Sequence, residues 1–292
     1  MQVIATIEEL REVKRSLCRD IALSNTHRPT VGFVPTMGNL HEGHLALIGR
    51  MREESDVSVV SIFVNPTQFG PQEDFDRYPR TLYEDLAKCQ AVKVDLVFTP
   101  GVNELYLPGR DTEVLVKRLS ERFCGAARPG HFAGVALVVA KLFNIVQPDR
   151  AYFGQKDFQQ FRIIERMVAD LDFAVDLIMC PTVREPDGLA MSSRNSYLAA
   201  GERMAAATIY AGLKALAAAF GGGEQDAHTL KSIARAALAD AVKVEYLEIA
   251  EAETLTPREA AQPGDVALIA AHVGTTRLID NLILEAGEND AA

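Results

Sequence analysis

Only four cysteines occur in the 292 residues, at Cys18, Cys89, Cys124 and Cys180, and no two of them form a C-x-x-C pair. That spacing excludes a C-x-x-C metal or redox motif, and all four are expected as buried or half-buried thiols in a chain without disulfides. Basic runs are also missing. The formal charge is −10 and Lys and Arg are scattered, which argues against a polyanionic partner such as tRNA, although a local pocket can still be basic enough for a small anion. The opening MQVIATIEELREVKRSL lacks the basic start and apolar core of a signal peptide. The longest apolar stretches, such as GVALVVAKLF, are too short and interrupted to span a bilayer. Cytoplasmic residence with neither a membrane nor a nucleic-acid partner is the expectation. No internal repeat or low-complexity block is visible beyond an alanine bias.

With 48% hydrophobic and 24% charged residues, a chain of this length can bury a full core and divide into two domains. Thr6 and Glu9 have capping-box spacing, and Leu10, Val13, Leu17 and Ile21 recur at helical intervals, so the chain opens with an amphipathic helix. Apolar runs at 31–34, 57–64, 94–98 and 151–153 then alternate with helical segments near 45–54, 81–91, 135–145 and 158–170. This grammar predicts an α/β fold, a Rossmann-like doubly wound parallel sheet with ligands beyond the carboxyl ends of its strands. After Cys180 the pattern changes. The loop REPDGLAMSSRN leads to an Ala-rich helix near 202–220, a Gly triplet, a helix begun at Asp226 and strand-like runs near 244–249 and 276–284. A catalytic domain over 1–182 and a smaller C-terminal α+β domain over 183–292 are expected, with EAGENDAA as a frayed tail.

Pro35 to Ile48 lies where the first strand of the alternating pattern hands over to a helix. Gly38 and Gly43 permit close backbone approach, and His41 and His44 flank a helix start whose N–H groups and dipole favour phosphate. Two imidazoles three residues apart can face one phosphate and donate hydrogen bonds to it, and the same pattern also reads as a capped helix start with surface histidines. H-E-x-x-H zinc-protease spacing is one residue longer, so that reading fails. His41-Glu42-Gly43-His44 is similar to the HxGH signature of the nucleotidyltransferase superfamily. The longer run Pro35-Thr36-Met37-Gly38-Asn39-Leu40-His41-Glu42-Gly43-His44 resembles the signature of the pantothenate synthetase family.

Four further segments continue the resemblance in family order, from Thr36 to Asn195. Phe63-Val64-Asn65-Pro66-Thr67-Gln68-Phe69 is similar to FVNPxQF, which implies that Gln68 contacts pantoate and that Asn65 lines the site; alone, Asn-Pro is a turn starter. Arg128-Pro129-Gly130-His131-Phe132 resembles the RPGHF loop, which implies that Arg128 and His131 belong to the pantoate and β-alanine side. Gly154-Gln155-Lys156-Asp157 with Gln160 is similar to G-x-K-D-x-x-Q, which implies that Lys156 contacts ATP phosphates and Gln160 contacts pantoate. Met191-Ser192-Ser193-Arg194-Asn195 looks like the family's version of the KMSKS loop, holding the β- and γ-phosphates, and Val183 matches a position that meets the nucleotide through its backbone. Asp85 matches a family position that binds Mg2+ in some members, and Lys88, one turn on, puts a cation beside it.

The resemblance implies ATP-dependent condensation of pantoate with β-alanine through a pantoyl adenylate, with AMP and pyrophosphate released. It implies His41, His44 and Lys156 in catalysis, and Pro35, Thr36, Met37, Gly38, Gly154, Asp157, Val183, Met191, Ser192, Ser193 and Arg194 beside them around ATP. Mg2+ and a homodimer are implied as well. A nucleotidyltransferase acting on a phosphate-bearing acceptor, and a non-catalytic ATP-binding protein of the same fold, are the competing readings; the glutamines Gln68 and Gln160 favour a hydroxyl-bearing carboxylate.

Overall fold

A computed structural model of the chain describes residues 1–24, 27–71 and 73–286. Most of the expected frayed tail, from Gly287 on, lies outside the described residues. The chain forms two compact units, Met1–Gly154 with Gln160–Pro181, and Gln155–Gln159 with Thr182–Ala292. The segment Gln155–Gln159 therefore groups with the C-terminal part of the chain, although it sits in sequence within the first unit.

The first unit is built on a six-stranded sheet of order β1-β4-β3-β2-β5-β6. Its strands are β1 (Gln2–Ile4), β2 (Val31–Thr36), β3 (Val57–Ile62), β4 (Leu96–Phe98), β5 (Arg150–Gly154) and β6 (Asp176–Cys180), and every pairing is parallel. The helices are α1 (Ile7–Ser24), α2 (Glu42–Glu54), α3 (Leu82–Ala91), the short α4 (Val102–Leu105) and α5 (Cys124–Ala127), α6 (His131–Val146) and α7 (Phe158–Asp170), whose first two residues group with the second unit. Val34, Val60 and Val97 from three adjacent strands pack with Leu47, Ile48 and Met51 of α2 and Cys89 of α3. Strands that are buried on both faces are rich in apolar and β-branched residues, which is why β2 and β3 are legible in the sequence although Ser58 and Ser61 interrupt β3. The order reverses between β2 and β5, and a doubly wound sheet opens its ligand crevice at that switch point. Thr36 and Gly154 end the two strands that flank it.

Two strands of this sheet escape the sequence pattern for local reasons. β1 has three residues, too few for any period, and exists because it pairs with β4. β6 is mostly half-exposed, with Asp176 at its start, so its apolar signal is diluted.

The second unit packs α8 (Ala200–Gly221) and α9 (Ala227–Ala236) on an antiparallel sheet β7-β8-β9, formed by Val242–Ala250, Val266–Val273 and Thr276–Ile283. Among the described residues, α8 alone is long and apolar enough to cross a membrane. Its apolar face, however, is committed to the core, where Ala206, Ile209, Leu213 and Leu216 cluster with Leu247 and Ile269. β8 is buried at nearly every position and rich in alanine, so it carries no alternation. The four cysteines are free thiols; Cys18 is half-exposed, the others buried, and burial pushes Cys89 up to about 11.

Carboxylates fasten the amino ends of the central strands. Asp56 accepts from the Thr30 N–H at 2.8 Å and the Thr30 hydroxyl at 2.9 Å, just before β2. Asp149 accepts from Val31 N–H at 2.8 Å, and Asp95 from Ser58 N–H at 2.9 Å. The Thr30 N–H, followed by its hydroxyl and His27, holds the Asp56 carboxyl below its ordinary value despite some desolvation. A carboxylate depressed in the folded state stabilises above its unfolded value, about 3.9, and that contribution disappears as pH falls through the folded value. Asp56→Ala should therefore cost on the order of 1 kcal/mol at pH 7. The gap to wild type in urea denaturation should shrink as pH is taken below the ordinary carboxylate value and through the lowered one of the folded state; an unchanged gap would show that the charge of Asp56 does not contribute.

Candidate active site

The loop leaving β2 is assembled from polar contacts to its own backbone. The Thr36 hydroxyl donates to Ser61 O at 2.8 Å and accepts from Gly38 N–H at 3.1 Å, which turns the chain out of the sheet. Gly38 takes φ +83°, and a Cβ there would stand 3.0 Å from an Asp85 oxygen, so glycine answers both a backbone and a space requirement. Asp85, fully buried on α3, receives the Asn39 N–H at 2.8 Å on one oxygen and the Leu40 N–H at 2.7 Å on the other. Lys88 donates to Leu40 O at 2.5 Å. Leu40 is thus held from α3 through both its N–H and its carbonyl, immediately before the histidines.

His41 caps α2. Its Nδ1 accepts from Gly43 N–H at 3.2 Å, and His44 Nδ1 accepts from His41 N–H at 3.3 Å, a capping box made of two imidazoles with ring centroids 4.1 Å apart. An imidazole whose Nδ1 accepts carries its proton on Nε2 when neutral. Each ring is therefore fixed in the tautomer that carries an Nε2–H donor, at a helix end that already favours anions.

After β3, Asn65 caps a 3-10 turn, Pro66–Gln68, and is itself almost fully buried. Its Nδ2 donates to Gln68 Oε1 at 2.9 Å and to Gly134 O at 3.2 Å, while its Oδ1 accepts from the Tyr106 hydroxyl at 2.8 Å. With its oxygen so occupied, the Gln68 amide presents its NH2 group, which lies 3.2 Å from Met37 Sδ. Arg128 pairs with Glu73 at 2.7 and 2.6 Å and also donates to Gln68 O at 3.3 Å. Desolvation works to raise Glu73, but the Arg128 pair outweighs it and leaves the carboxyl low. His131 Nδ1 lies 2.8 Å from Gln68 O and its Nε2 lies 3.0 Å from Arg128. Since a guanidinium only donates and a carbonyl only accepts, His131 is the neutral Nδ1–H tautomer. Arg128 and His131, expected on the substrate side, both grip the main chain of Gln68. Gln160 stands on the first turn of α7.

The second unit carries Lys156, Asp157, Val183 and Met191–Arg194. Lys156 Nζ lies 3.3 Å from both Asp157 oxygens. Met191 N–H donates to Val183 O at 3.0 Å, and Arg184 and Ala190 form a β-bridge, so the loop carrying the serines starts from a closed neck. Ser192 caps the 3-10 segment Ser193–Tyr197 by accepting from Arg194 N–H at 3.3 Å. Asn195 donates to Glu185 at 2.8 Å. Burial works to raise Glu185, yet Arg203 and Asn195 hold it low.

A family model described as pantoate-beta-alanine ligase matches residues 2–283. The chain belongs to the pantoate-beta-alanine ligase family. A pantothenate synthetase of Thermotoga petrophila is 51% identical over 286 residues, covering 97% of this chain and 100% of that protein. The crystal structure of a Thermus thermophilus pantothenate synthetase superposes with a TM-score of 0.90 at 45% identity, covering 98% of this chain and 100% of that one. The ligase of Francisella tularensis, described as complexed with beta-gamma ATP and beta-alanine, gives 0.79 at 32% identity, with 98% and 99% covered. As a pantoate-beta-alanine ligase, the protein catalyses pantothenate formation.

Within this ligase the surroundings of Asp85 do not fit a protein-borne Mg2+. Its two oxygens already receive the Asn39 and Leu40 N–H groups, the Thr81 hydroxyl adds a third donor at 3.2 Å, and the side chain is closed to solvent. Among the described residues no group of three or more His, Cys, Asp or Glu is placed to hold a metal. Sequence reading missed Glu73, Tyr106 and the packing role of Gly134, since nothing near them in sequence marks their partners. A Cβ on Gly134 would stand 2.2 Å from Thr67 O, so α6 meets the Gln68 turn backbone to backbone. Gly134→Ala should destabilise the ligase by about 1–3 kcal/mol through overpacking. It should also lower pantothenate formation below what the melting shift explains; a variant with wild-type turnover would show that the turn tolerates displacement.

Proposed function

We propose that the ligase works in two steps, adenylating pantoate with MgATP and passing the pantoyl group to β-alanine, with pyrophosphate and then AMP released. The observation that carries this reading is the paired imidazole cap of α2, which fixes two Nε2–H donors at the carboxyl end of β2, beside the switch point of the sheet. In the first step the pantoate carboxylate attacks the α-phosphorus, and charge shifts onto phosphate oxygens. Donors fixed beforehand stabilise that charge without reorganising.

Gln68 and Gln160 orient the hydroxyl-bearing acid, with the amide of Gln68 set by Asn65 and its main chain by Arg128 and His131. Lys156 supplies a compact positive charge to the phosphates, and Ser192, Ser193 and Arg194 retain the leaving pyrophosphate. Pro35, Thr36, Met37, Gly38, Gly154, Asp157, Val183 and Met191 complete the ATP surroundings. Mg2+ arrives on the nucleotide and needs no carboxylate of the chain. Family membership supports a cytoplasmic homodimer acting on small molecules, and a catalytic domain joined near residue 183 to a domain carrying the serine loop.

Omitting each substrate in turn tests the scheme. Pyrophosphate release with ATP and pantoate alone supports the adenylate; indifference to pantoate sinks it. Lys156→Ala should slow that release about 100-fold or more while leaving the melting temperature nearly unchanged, as expected for loss of one charge-stabilising group. Asp85→Asn should slow turnover with no change in the Mg2+ concentration giving half-maximal rate. A rise in that concentration would make Asp85 a ligand after all.

A further inference from the structure

No site motif is legible in the sequence of the C-terminal third, yet one of its buried side chains reaches the turn that bears Lys156. Asn281 on β9 is 1% exposed. Its Nδ2 donates to Gln155 O at 2.8 Å and to Lys156 O at 2.9 Å, and its Oδ1 accepts from Gln155 Nε2 at 3.3 Å. The amide nitrogen and the amide oxygen are therefore both committed to two consecutive residues of the Gln155–Asp157 turn. Those residues lie in the same compact unit as Asn281, more than a hundred positions away in sequence.

The preceding residue on the strand holds the other phosphate-facing segment. Asp280, 4% exposed, forms a two-pronged pair with Arg184 at 2.6 and 3.0 Å. Arg184 donates to Gly188 O at 3.2 Å and stacks on Tyr210 of α8 at 3.6 Å from the ring centre. It is also one side of the β-bridge that closes the neck of the serine loop. Asp280 accepts in addition from Asn281 N–H at 2.8 Å, so the two anchors are linked through the strand backbone.

We propose that Asn281 is a positioning residue for catalysis: it fixes the main chain of Lys156, and with Asp280 it locks Lys156 and the Ser192–Arg194 loop into one rigid body. A lysine stem is long and loses considerable rotamer freedom when its ammonium is placed. Anchoring its two flanking carbonyls leaves only the side-chain torsions to be ordered. A displacement of about 1 Å in such a group is enough to cost about 100-fold in rate. Rigid coupling to the serine loop also keeps the two phosphate-facing sets at a constant separation, whatever the second unit does as a whole.

This inference rests on the phosphate role assigned to Lys156, and a double-mutant cycle separates the two. Pyrophosphate release from ATP and pantoate is measured for wild type, Asn281→Ala, Lys156→Ala and the double variant, with melting temperatures recorded alongside. Asn281→Ala should lose about 30-fold or more, and should lose almost nothing further once Lys156 is already replaced, because coupled residues are non-additive. Losses that multiply would make Asn281 merely structural and overturn the proposal. Lys156→Ala at the wild-type rate would instead remove the role of Lys156 itself. Gln155→Met provides a milder probe, deleting one bond of the clamp while β9 stays intact. It should slow the reaction severalfold when Lys156 is present and be silent in the Lys156→Ala variant; an effect of equal size in both also overturns the proposal.

Discussion

A parallel strand reaches its neighbour only through a crossover, and β2 has a parallel neighbour on each side, β3 and β5. The chain must leave β2 in one direction and come back to its other flank much later, so the connections after β2 and β5 diverge rather than cover the sheet edge. Everything proposed for phosphate chemistry descends from that divergence. It opens the edge at which the histidine cap begins, and it places the Gly154 end of β5 where the Lys156 turn departs. The buried apolar strands exist to satisfy the sheet; the crevice is a by-product of their order.

On this frame, each candidate contact group is held by bonds to main chain rather than by packing alone. Asp85 and Lys88 grip Leu40, Arg128 and His131 grip Gln68, and Asn281 grips Lys156. The common logic is that a side chain aimed from a fixed backbone has few remaining torsions, so orientation is set before any ligand arrives. Arg128 and His131, expected beside the substrate, thereby also support the backbone of Gln68.

The residues that are readable from sequence share one property. His41, Gln68, Lys156 and Ser192 sit in contiguous motifs, where chemistry and local chain direction coincide. Asp85, Glu73, Tyr106 and Asn281 act on partners tens to more than a hundred residues away, so their meaning exists only in three dimensions. Asp85 illustrates the difference. Its residue type suits a metal, but its surroundings make it an acceptor for two amides, and no spacing rule announces which. For the fold, β2 and β3 are legible as runs rich in apolar and β-branched residues, whereas β8 is hidden by alanine and β1 by brevity, each rescued by pairing rather than by propensity.

The aspartates at the amino ends of the central strands have a further consequence. Asp56, Asp95 and Asp149 fasten Thr30, Ser58 and Val31 at the edge of the sheet remote from the histidine cap. The central strands therefore have a mooring at one end and the proposed phosphate-facing edge at the other, separated by the length of the strand itself. A substitution at a mooring acts a full strand length away from the proposed phosphate-facing edge, so it changes how firmly the strand is held without altering the groups at its other end.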